Sequence, residues 1–392
     1  MNHRSRVAPH VAELPKSGIR KFFDIVAQSK DIVSLGVGEP DFDTPWHISR
    51  AAVTCLENGG THYTSNLGTP ALRQAIDRYL SRRFDTHFDW QKEILVTVGV
   101  SEAIDLAIRA ICSPGDEVLY HEPCFVSYAP TIRLAHAVPV CVETRVEDEF
   151  RLTVEAMEAK VTPKTKAMLL NFPCNPTGAT LSCGDMEDIL RFAAKHDLIV
   201  LADEVYSELN YDRGEADSHP LLHSFTSFPE YHDCVILLNG FSKSWAMTGY
   251  RLGYACGPVD IIDAMMKIHQ YGIMSAPTLS QAAGVEAMDH GDKDVDRMRR
   301  EYRKRRDYLV PELNRMGLKT VMPKGAFYIF SDIRSTGLTD EAFALKLLKE
   351  FGVACVPGSA FGACGAGFVR MSYATSLEKI RLAVERIGRM LT

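Results

Sequence analysis

The chain has 392 residues, 46% hydrophobic and 24% charged, with 44 Lys plus Arg against 50 Asp plus Glu and a formal charge of −6. That composition excludes a disordered, collagenous or coiled-coil chain, and a mildly acidic chain without a basic tract is a poor nucleic-acid binder. The length predicts roughly two to three domains, or one large domain with an appendage, and a core that needs no staples.

In chain order, the opening MNHRSRVAPHVAELPKSG has basic residues but no apolar core, so it does not read as a secretory signal. Periodicity is weak until Ile32–Gly36, and residues 1–45 are expected to form an arm that packs against the C-terminal part. Thr44-Pro45 and Thr69-Pro70 each place a capping hydroxyl before a proline at a first helical position. Asn58-Gly59-Gly60 is expected to end the first of these helices. Strand candidates follow at Glu93–Gly99, Glu117–His121, Ala137–Val142, Lys166–Phe172, Leu198–Ala202, Cys234–Asn239 and Leu252–Cys256. Several are continuously apolar, as in strands covered on both faces. Alternating with helices across residues 46–285, they predict an α/β domain with a doubly wound, mostly parallel, seven-stranded sheet.

After residue 285 the pattern changes. A charged helix (Asp292–Met316) leads into the segments Leu318–Met322 and Ala326–Phe330, followed by a helix (Thr339–Phe351), short strands Val353–Val356 and Phe368–Ser372, and a last helix (Leu377–Met390). Residues 286–392 are read as a smaller α+β domain, completed by the N-terminal segment. The ten cysteines show no CxxC spacing, which suits reduced residues of a cytoplasmic protein and offers no metal ligand set. No apolar run approaches the ~18 residues of a membrane span.

Ligands of open α/β sheets sit at the carboxyl ends of the strands. After KAMLLNF comes Pro173-Cys174-Asn175-Pro176-Thr177-Gly178, and after LIVLA comes Asp203-Glu204-Val205-Tyr206. After CVILLN comes Gly240-Phe241-Ser242-Lys243-Ser244, and after EILVTV a helix opens on Gly99-Val100-Ser101-Glu102. The strand ends thus deliver an amide, a carboxylate with a phenol, a lysine, and a glycine-led helix N-terminus. Each alone has an ordinary reading: a cap, a surface lysine, turn glycines, a turn-rich loop. Their joint occurrence does not. His219 and His223 are set aside as a metal pair because Pro220 and the surrounding loop oppose it. Gly36-Val37-Gly38 is too short for a dinucleotide fingerprint, and Pro40 blocks the expected helix.

Gly240–Gly253 (GFSKSWAMTGYRLG) resembles the lysine signature of the class I/II aminotransferases, pyridoxal-phosphate enzymes of fold type I. GEPDF (38–42), the aromatic-rich segment after EVLYHEP, NPTG (175–178) and DEVY (203–206) match in the expected order, and the similarity runs from about Ser17 to the end. The resemblance implies that Lys243 carries pyridoxal 5'-phosphate as a Schiff base and then moves the substrate's α-proton. It places Asp203 at the pyridine nitrogen, and Asn175 and Tyr206 at the ring's phenolic oxygen. Gly99, Val100, Ser101 and Arg251 are implied to hold the phosphate, with Ser242 beside the lysine. Gly240 stands where some members have a phosphate-binding serine. Phe125 is implied to stack on the ring, and Tyr63 to reach the phosphate of a neighbouring subunit, which makes a homodimer. Arg370 is implied to grip the substrate α-carboxylate, flanked by Gly38, with Gly18-Ile19-Arg20 covering the pocket.

The implied activity is ping-pong transfer of an α-amino group from an L-amino acid to a 2-oxo acid. A β-lyase acting on cystathionine or cysteine conjugates shares its first steps. A non-catalytic cofactor-binding regulator would carry a DNA-binding domain, for which a match from residue 17 leaves no room. The segments SGIRKFFDIVAQ and NGFSKSWAMTGYRLGY are similar to those of bacterial aromatic and N-acetyl-diaminopimelate aminotransferases. Ser101 stands where one aspartate-aminotransferase branch has a lysine for the second carboxylate, so strict aspartate specificity is not expected. No nucleic-acid or membrane partner is expected.

Overall fold

The computed structural model describes residues 6–14, 31–211 and 222–392. After a short strand β1 (Val33–Ser34), seven strands build the main sheet: β2 (Ile94–Thr97), β3 (Glu117–Glu122), β4 (Val138–Glu143), β5 (Thr165–Asn171), β6 (Ile199–Asp203), β7 (Val235–Gly240) and β8 (Gly253–Cys256). Their order is β2-β8-β7-β6-β5-β3-β4. β8 runs antiparallel to both its neighbours, and the other pairings are parallel. Successive residues of one strand feed different cores. Met168 and Leu170 of β5 join Val200 and Ala202 of β6 on one face, while Ala167 and Leu169 join Leu201, Ile236 and Leu238 on the other. Burial on both faces is why these strands read as unbroken apolar runs.

Helix starts follow local chemistry where nothing competes. Thr69 Oγ1 accepts from Leu72 N at the head of helix Pro70–Phe84. Thr44 does not cap as expected. Its helix starts at Trp46 with Pro45 in the cap position, and Thr44 Oγ1 donates to the carbonyl of Ala246 at 2.7 Å. A partner just beyond Lys243 has taken the hydroxyl. Asn58 ends that helix and Gly59 follows at φ +76°, as the sequence predicted.

In the C-terminal third, β9 (Tyr328–Asp332), β11 (Val356–Pro357) and β12 (Phe368–Ser372) form an antiparallel sheet in the order β11-β12-β9. Leu318–Met322 is not a strand; only Thr320 makes a bridge, to Ser331. Val353–Val356 is not one strand either. Val353–Ala354, here β10, pairs in parallel with β1, and the chain then joins β12 through Val356. That β1–β10 pairing sets residues 33–34 against the C-terminal part. Helix Asp340–Phe351, capped by Thr339 and closed by Gly352 at φ +65°, and helix Leu377–Leu391, capped by Ser376, complete it. Among the described residues, no helix is long and apolar enough to cross a membrane.

Candidate active site

The adjacent parallel strands β5, β6 and β7 end on one edge of the sheet. Register sets Asn171 opposite Asp203, and Asp203 opposite Leu238. Asn171 then organises the edge. Its Nδ2 donates to the Asp203 carbonyl at 2.9 Å, and its Oδ1 accepts from Asn175 N at 2.9 Å. The 175–178 loop is thereby tied to the strand ends. A cavity of about 390 Å³ opens there, within the range of small-molecule sites.

The cavity brings together Gly38, Val100, Ser101, Phe125, Asn175, Asp203, Tyr206, Ser242, Lys243, Arg251 and Arg370. Gly99 lies behind Arg251: it has φ +74°, and an added Cβ would sit 2.7 Å from Arg251 Nη2. Tyr63 is 83% exposed and is not part of its own chain's cavity. Ile19 and its neighbours Gly18 and Arg20 lie outside the described residues, as does His219.

Lys243 Nζ donates to the Gly38 carbonyl at 2.7 Å. Burial pulls its pKa down to about 8, with Arg370 and Arg251 adding repulsion against the pull of Glu39 and Asp203. The amine is therefore poised near neutrality, as a nucleophile and proton carrier requires. Burial pushes Asp203 up to about 6, opposed by hydrogen bonds from Tyr128 and Val205 N. Tyr128 OH donates to Asp203 Oδ2 at 2.6 Å. Tyr206 OH pairs with Tyr328 OH at 2.9 Å.

Arg370 is 3% exposed. Its Nη1 donates to Asn175 Oδ1 at 3.0 Å and its Nη2 to the Gly36 carbonyl at 2.6 Å. The guanidinium lies 4.5 Å over the Tyr328 ring and 4.8 Å from Phe361. Its Nε has no hydrogen-bond partner, and among the described residues no carboxylate pairs with it. A buried cation served only by neutral acceptors is costly, and an anion from outside would complete it. Gly38 keeps the approach open, since a Cβ there would fall 2.8 Å from Tyr328 Oη.

On the opposite side, helix Gly99–Ile111 points its first turn at the cavity, with Arg251 held across it by a bond to the Thr248 carbonyl at 3.1 Å. Free N–H groups, the positive helix end and a guanidinium form an anion cradle. Gly240 has no room for a serine: a Cβ would meet Val100 Cγ2 at 2.8 Å and the Leu252 carbonyl at 3.0 Å.

Sequence reading missed Asn171, Tyr128 and Tyr328. Asn171 was hidden as the penultimate letter of an apolar run, and Tyr128 belongs to the aromatic segment already singled out. Tyr328 is brought in by the β9–β12 pairing, where Arg370 faces Phe330, and no local signal marks it.

The shifted groups predict an unusual stability profile for the cofactor-free chain. Asp203, raised to about 6, binds its proton more tightly folded than unfolded, so stability falls as pH rises from about 4 to 6. Glu204, raised to about 7 by burial, has the same sign. Lys243, lowered to about 8, makes stability rise again from about pH 8 to 10.5. Urea unfolding should therefore show a minimum between those limbs, with each shifted group contributing on the order of 3 kcal/mol. Asp203→Asn should shrink the acid limb and Lys243→Met the alkaline one; a flat profile would refute both shifts.

The residues fit a phosphorylated pyridine aldehyde. They offer an amine, a buried carboxylate for a ring nitrogen, an aromatic face at Phe125, and a helix-plus-arginine phosphate cradle. Comparison with known proteins agrees. The family profile described as aminotransferase class I and II matches residues 30–387. An aspartate aminotransferase of Pyrococcus abyssi is 47% identical, over 96% of this chain and 95% of its own length. Aromatic-amino-acid aminotransferase 2 of Thermococcus litoralis is 43% identical, over 96% of this chain and 95% of its own. The crystal structure of an aromatic aminotransferase from Pyrococcus horikoshii matches with a TM-score of 0.88 at 46% identity, covering 94% of this chain and 98% of that one. The chain belongs to the aminotransferase class I and II family. It is a pyridoxal-phosphate-dependent aminotransferase of fold type I, with amino acids and 2-oxo acids as substrates.

Proposed function

We propose that the cavity around Lys243 is the active site and works by ping-pong exchange, first taking an amino group from an L-amino acid and then passing it to a 2-oxo acid. The observation that carries this reading is the meeting in one cavity of a neutral-prone lysine, a buried carboxylate and a buried arginine that has no carboxylate partner among the described residues. Bound pyridoxal phosphate would supply the electron sink that makes the substrate's α-proton labile. Lys243 holds the cofactor and then carries that proton at Nζ. Asp203 holds a proton at the pyridine nitrogen. Asn175 and Tyr206 hydrogen-bond the ring oxygen, and Phe125 covers a ring face. The first turn at Gly99, Val100 and Ser101 binds the phosphate with Arg251 and Ser242. Arg370 orients the α-carboxylate, with Gly38 beside it.

The donor favoured by this cavity has an uncharged side chain. Ile104, Phe125 and Val205 line it, and the cationic groups among its lining residues are Lys243, Arg251 and Arg370, all engaged by the roles above. Residues 46–285 act as the cofactor-binding domain, and 286–392 with the arm 1–45 as the smaller, substrate-clamping one. The ten cysteines lack any disulfide among the described residues, which supports a cytoplasmic setting.

A homodimer completes the site. Tyr63 and Tyr271 are 83% and 88% exposed. Their segments are tied together by Asn66 Nδ2 to the Met274 carbonyl and Thr278 Oγ1 to the His62 carbonyl, both at 2.7 Å. With Ile273 and Met274 also exposed, this is a patch of the kind that marks an interface. Sedimentation should report a dimer, and Tyr63→Phe should weaken cofactor binding roughly tenfold without dissociating it; a monomer with full activity would end this reading.

The main test is an absorbance titration of the cofactor-loaded protein with phenylalanine, glutamate, aspartate and cystathionine. The visible band should give way to a near-ultraviolet one with a good donor and return on adding a 2-oxo acid. A band that persists while pyruvate accumulates from cystathionine would assign a lyase instead.

A further inference from the structure

The seven-stranded sheet ends at β4, and a second chemical cluster lies there, apart from the cavity. Glu122 closes β3, Cys141 sits on the edge strand β4, and Cys364 lies in the turn Ala363–Gly365 before β12. One carboxylate oxygen of Glu122 and the two sulfurs all lie within 4.8 Å of one another. We propose that Glu122, Cys141 and Cys364 form a site for a thiolate-preferring divalent transition-metal ion of the zinc class, clamping the sheet edge to that turn.

The fold assembles what the sequence keeps far apart. In the parallel pairing of β3 with β4, Tyr120 stands opposite Cys141 and Glu122 opposite Glu143. The period of two therefore puts Tyr120, Glu122 and Cys141 on one face. Tyr120 OH donates to Glu122 Oε1 at 2.6 Å, which fixes the carboxylate and leaves Oε2 for other use. The turn comes down onto that oxygen. Gly362 has φ +115°, and an added Cβ there would lie 2.3 Å from Glu122 Oε2. Only glycine permits this approach, which the bond from Cys124 N to the Phe361 carbonyl at 3.1 Å holds in place. Cys364 is delivered two residues later.

Two sulfurs and one oxygen satisfy three positions of a tetrahedral ion at about 2.3 Å and 2.0–2.2 Å. Donors sharing such an ion stand roughly 3.5 Å apart, so little closure is needed. The thiolate pair selects zinc over magnesium or calcium. A hydrogen bond that orients a ligating carboxylate, as Tyr120 provides, is a normal outer-shell feature of metal sites. A cleft of about 310 Å³, lined by Glu143, Thr144, Arg145 and Cys364 among others, gives an entry path and room for a fourth ligand from solvent. The bound ion would join two parts of the catalytic cavity. Glu122 stands three residues before Phe125, and the turn bearing Cys364 leads into the strand that carries Arg370.

The test uses reduced, metal-free holoenzyme titrated with Co²⁺, read at the red d–d bands beyond the cofactor's absorbance. About one Co²⁺ per chain should bind with tetrahedral intensity and be displaced by Zn²⁺, and Zn²⁺ should raise the thermal midpoint. Cys141→Ser and Cys364→Ser should each remove the bands, and Tyr120→Phe should weaken binding about 10–100-fold. The cofactor's own visible band, unchanged in these variants, reports that they fold. Holoenzyme that stays free of the Co²⁺ bands, bands that survive both serine variants, or a Cys141–Cys364 disulfide persisting under reductant would overturn the proposal.

Discussion

Lys243→Ala is expected to lower transamination by at least about 10⁴-fold, because in the proposed mechanism one amine both tethers the cofactor and transfers the proton, and general acid–base catalysis alone contributes up to about that factor. The visible band of lysine-linked cofactor should vanish while cofactor still binds, since the phosphate cradle at Gly99 and Arg251 is untouched. Stability should move the other way. Burial depresses the Lys243 pKa to about 8, so at pH 7 the protonated amine is held at a cost, and among the described residues the hydrogen-bond acceptor it finds is the Gly38 carbonyl. The cofactor-free variant should unfold at a temperature no lower than the parent. That opposition of signs separates chemistry from folding. Small primary amines such as methylamine should restore part of the rate, because truncation leaves space beside the Tyr206 and Phe327 rings that flank Nζ. Turnover within tenfold of the parent would remove Lys243 from the mechanism.

The legible part of this molecule was what local sequence physics controls. Strands buried on both faces announced themselves as apolar runs, and the residues just beyond them converge on one cavity, because parallel strands must end on a common edge. Asn175, Asp203, Lys243 and the Gly99 helix start were therefore readable, and all four meet at one cavity edge. What stayed hidden depends on pairing between distant segments. Thr44 looks like a cap until the Ala246 carbonyl is brought to it. Val353–Val356 looks like one strand until β1 and β12 claim its two halves. Tyr328 gains meaning only when Arg370 lies across its ring. The Glu122, Cys141 and Cys364 cluster has no linear spacing at all, and only a parallel strand pair and a glycine turn create it.

Arg370→Ala should reduce kcat/KM for amino-acid donors by about 10²–10³-fold, the size expected for loss of a buried, hydrogen-bonded charge partner. The defect should fall mainly on KM, because the role proposed for this side chain is binding and orientation rather than proton transfer. Its surroundings explain why the loss is large. Arg370 is 3% exposed, its two terminal nitrogens are spent on the neutral oxygens of Asn175 and Gly36, and its Nε is unserved. Among the described residues folding alone therefore leaves the positive charge without a carboxylate, and in the proposed role a substrate carboxylate would supply one. The cofactor-free variant should accordingly be no less stable than its size change dictates, although Asn175 Oδ1 loses its donor. Arg370→Lys is the sharper probe. A lysine keeps the charge but cannot lie flat between the Tyr328 and Phe361 rings while offering two parallel donors. It should recover less than a tenth of the lost kcat/KM, whereas a purely electrostatic role would let it recover nearly all. The visible absorption of bound cofactor should be unchanged in both variants, since Arg370 stands on the substrate side of the cavity. Donor amines lacking a carboxylate should react equally slowly with parent and Arg370→Ala; a parent that retains its advantage on such amines would show that Arg370 does not act through the carboxylate.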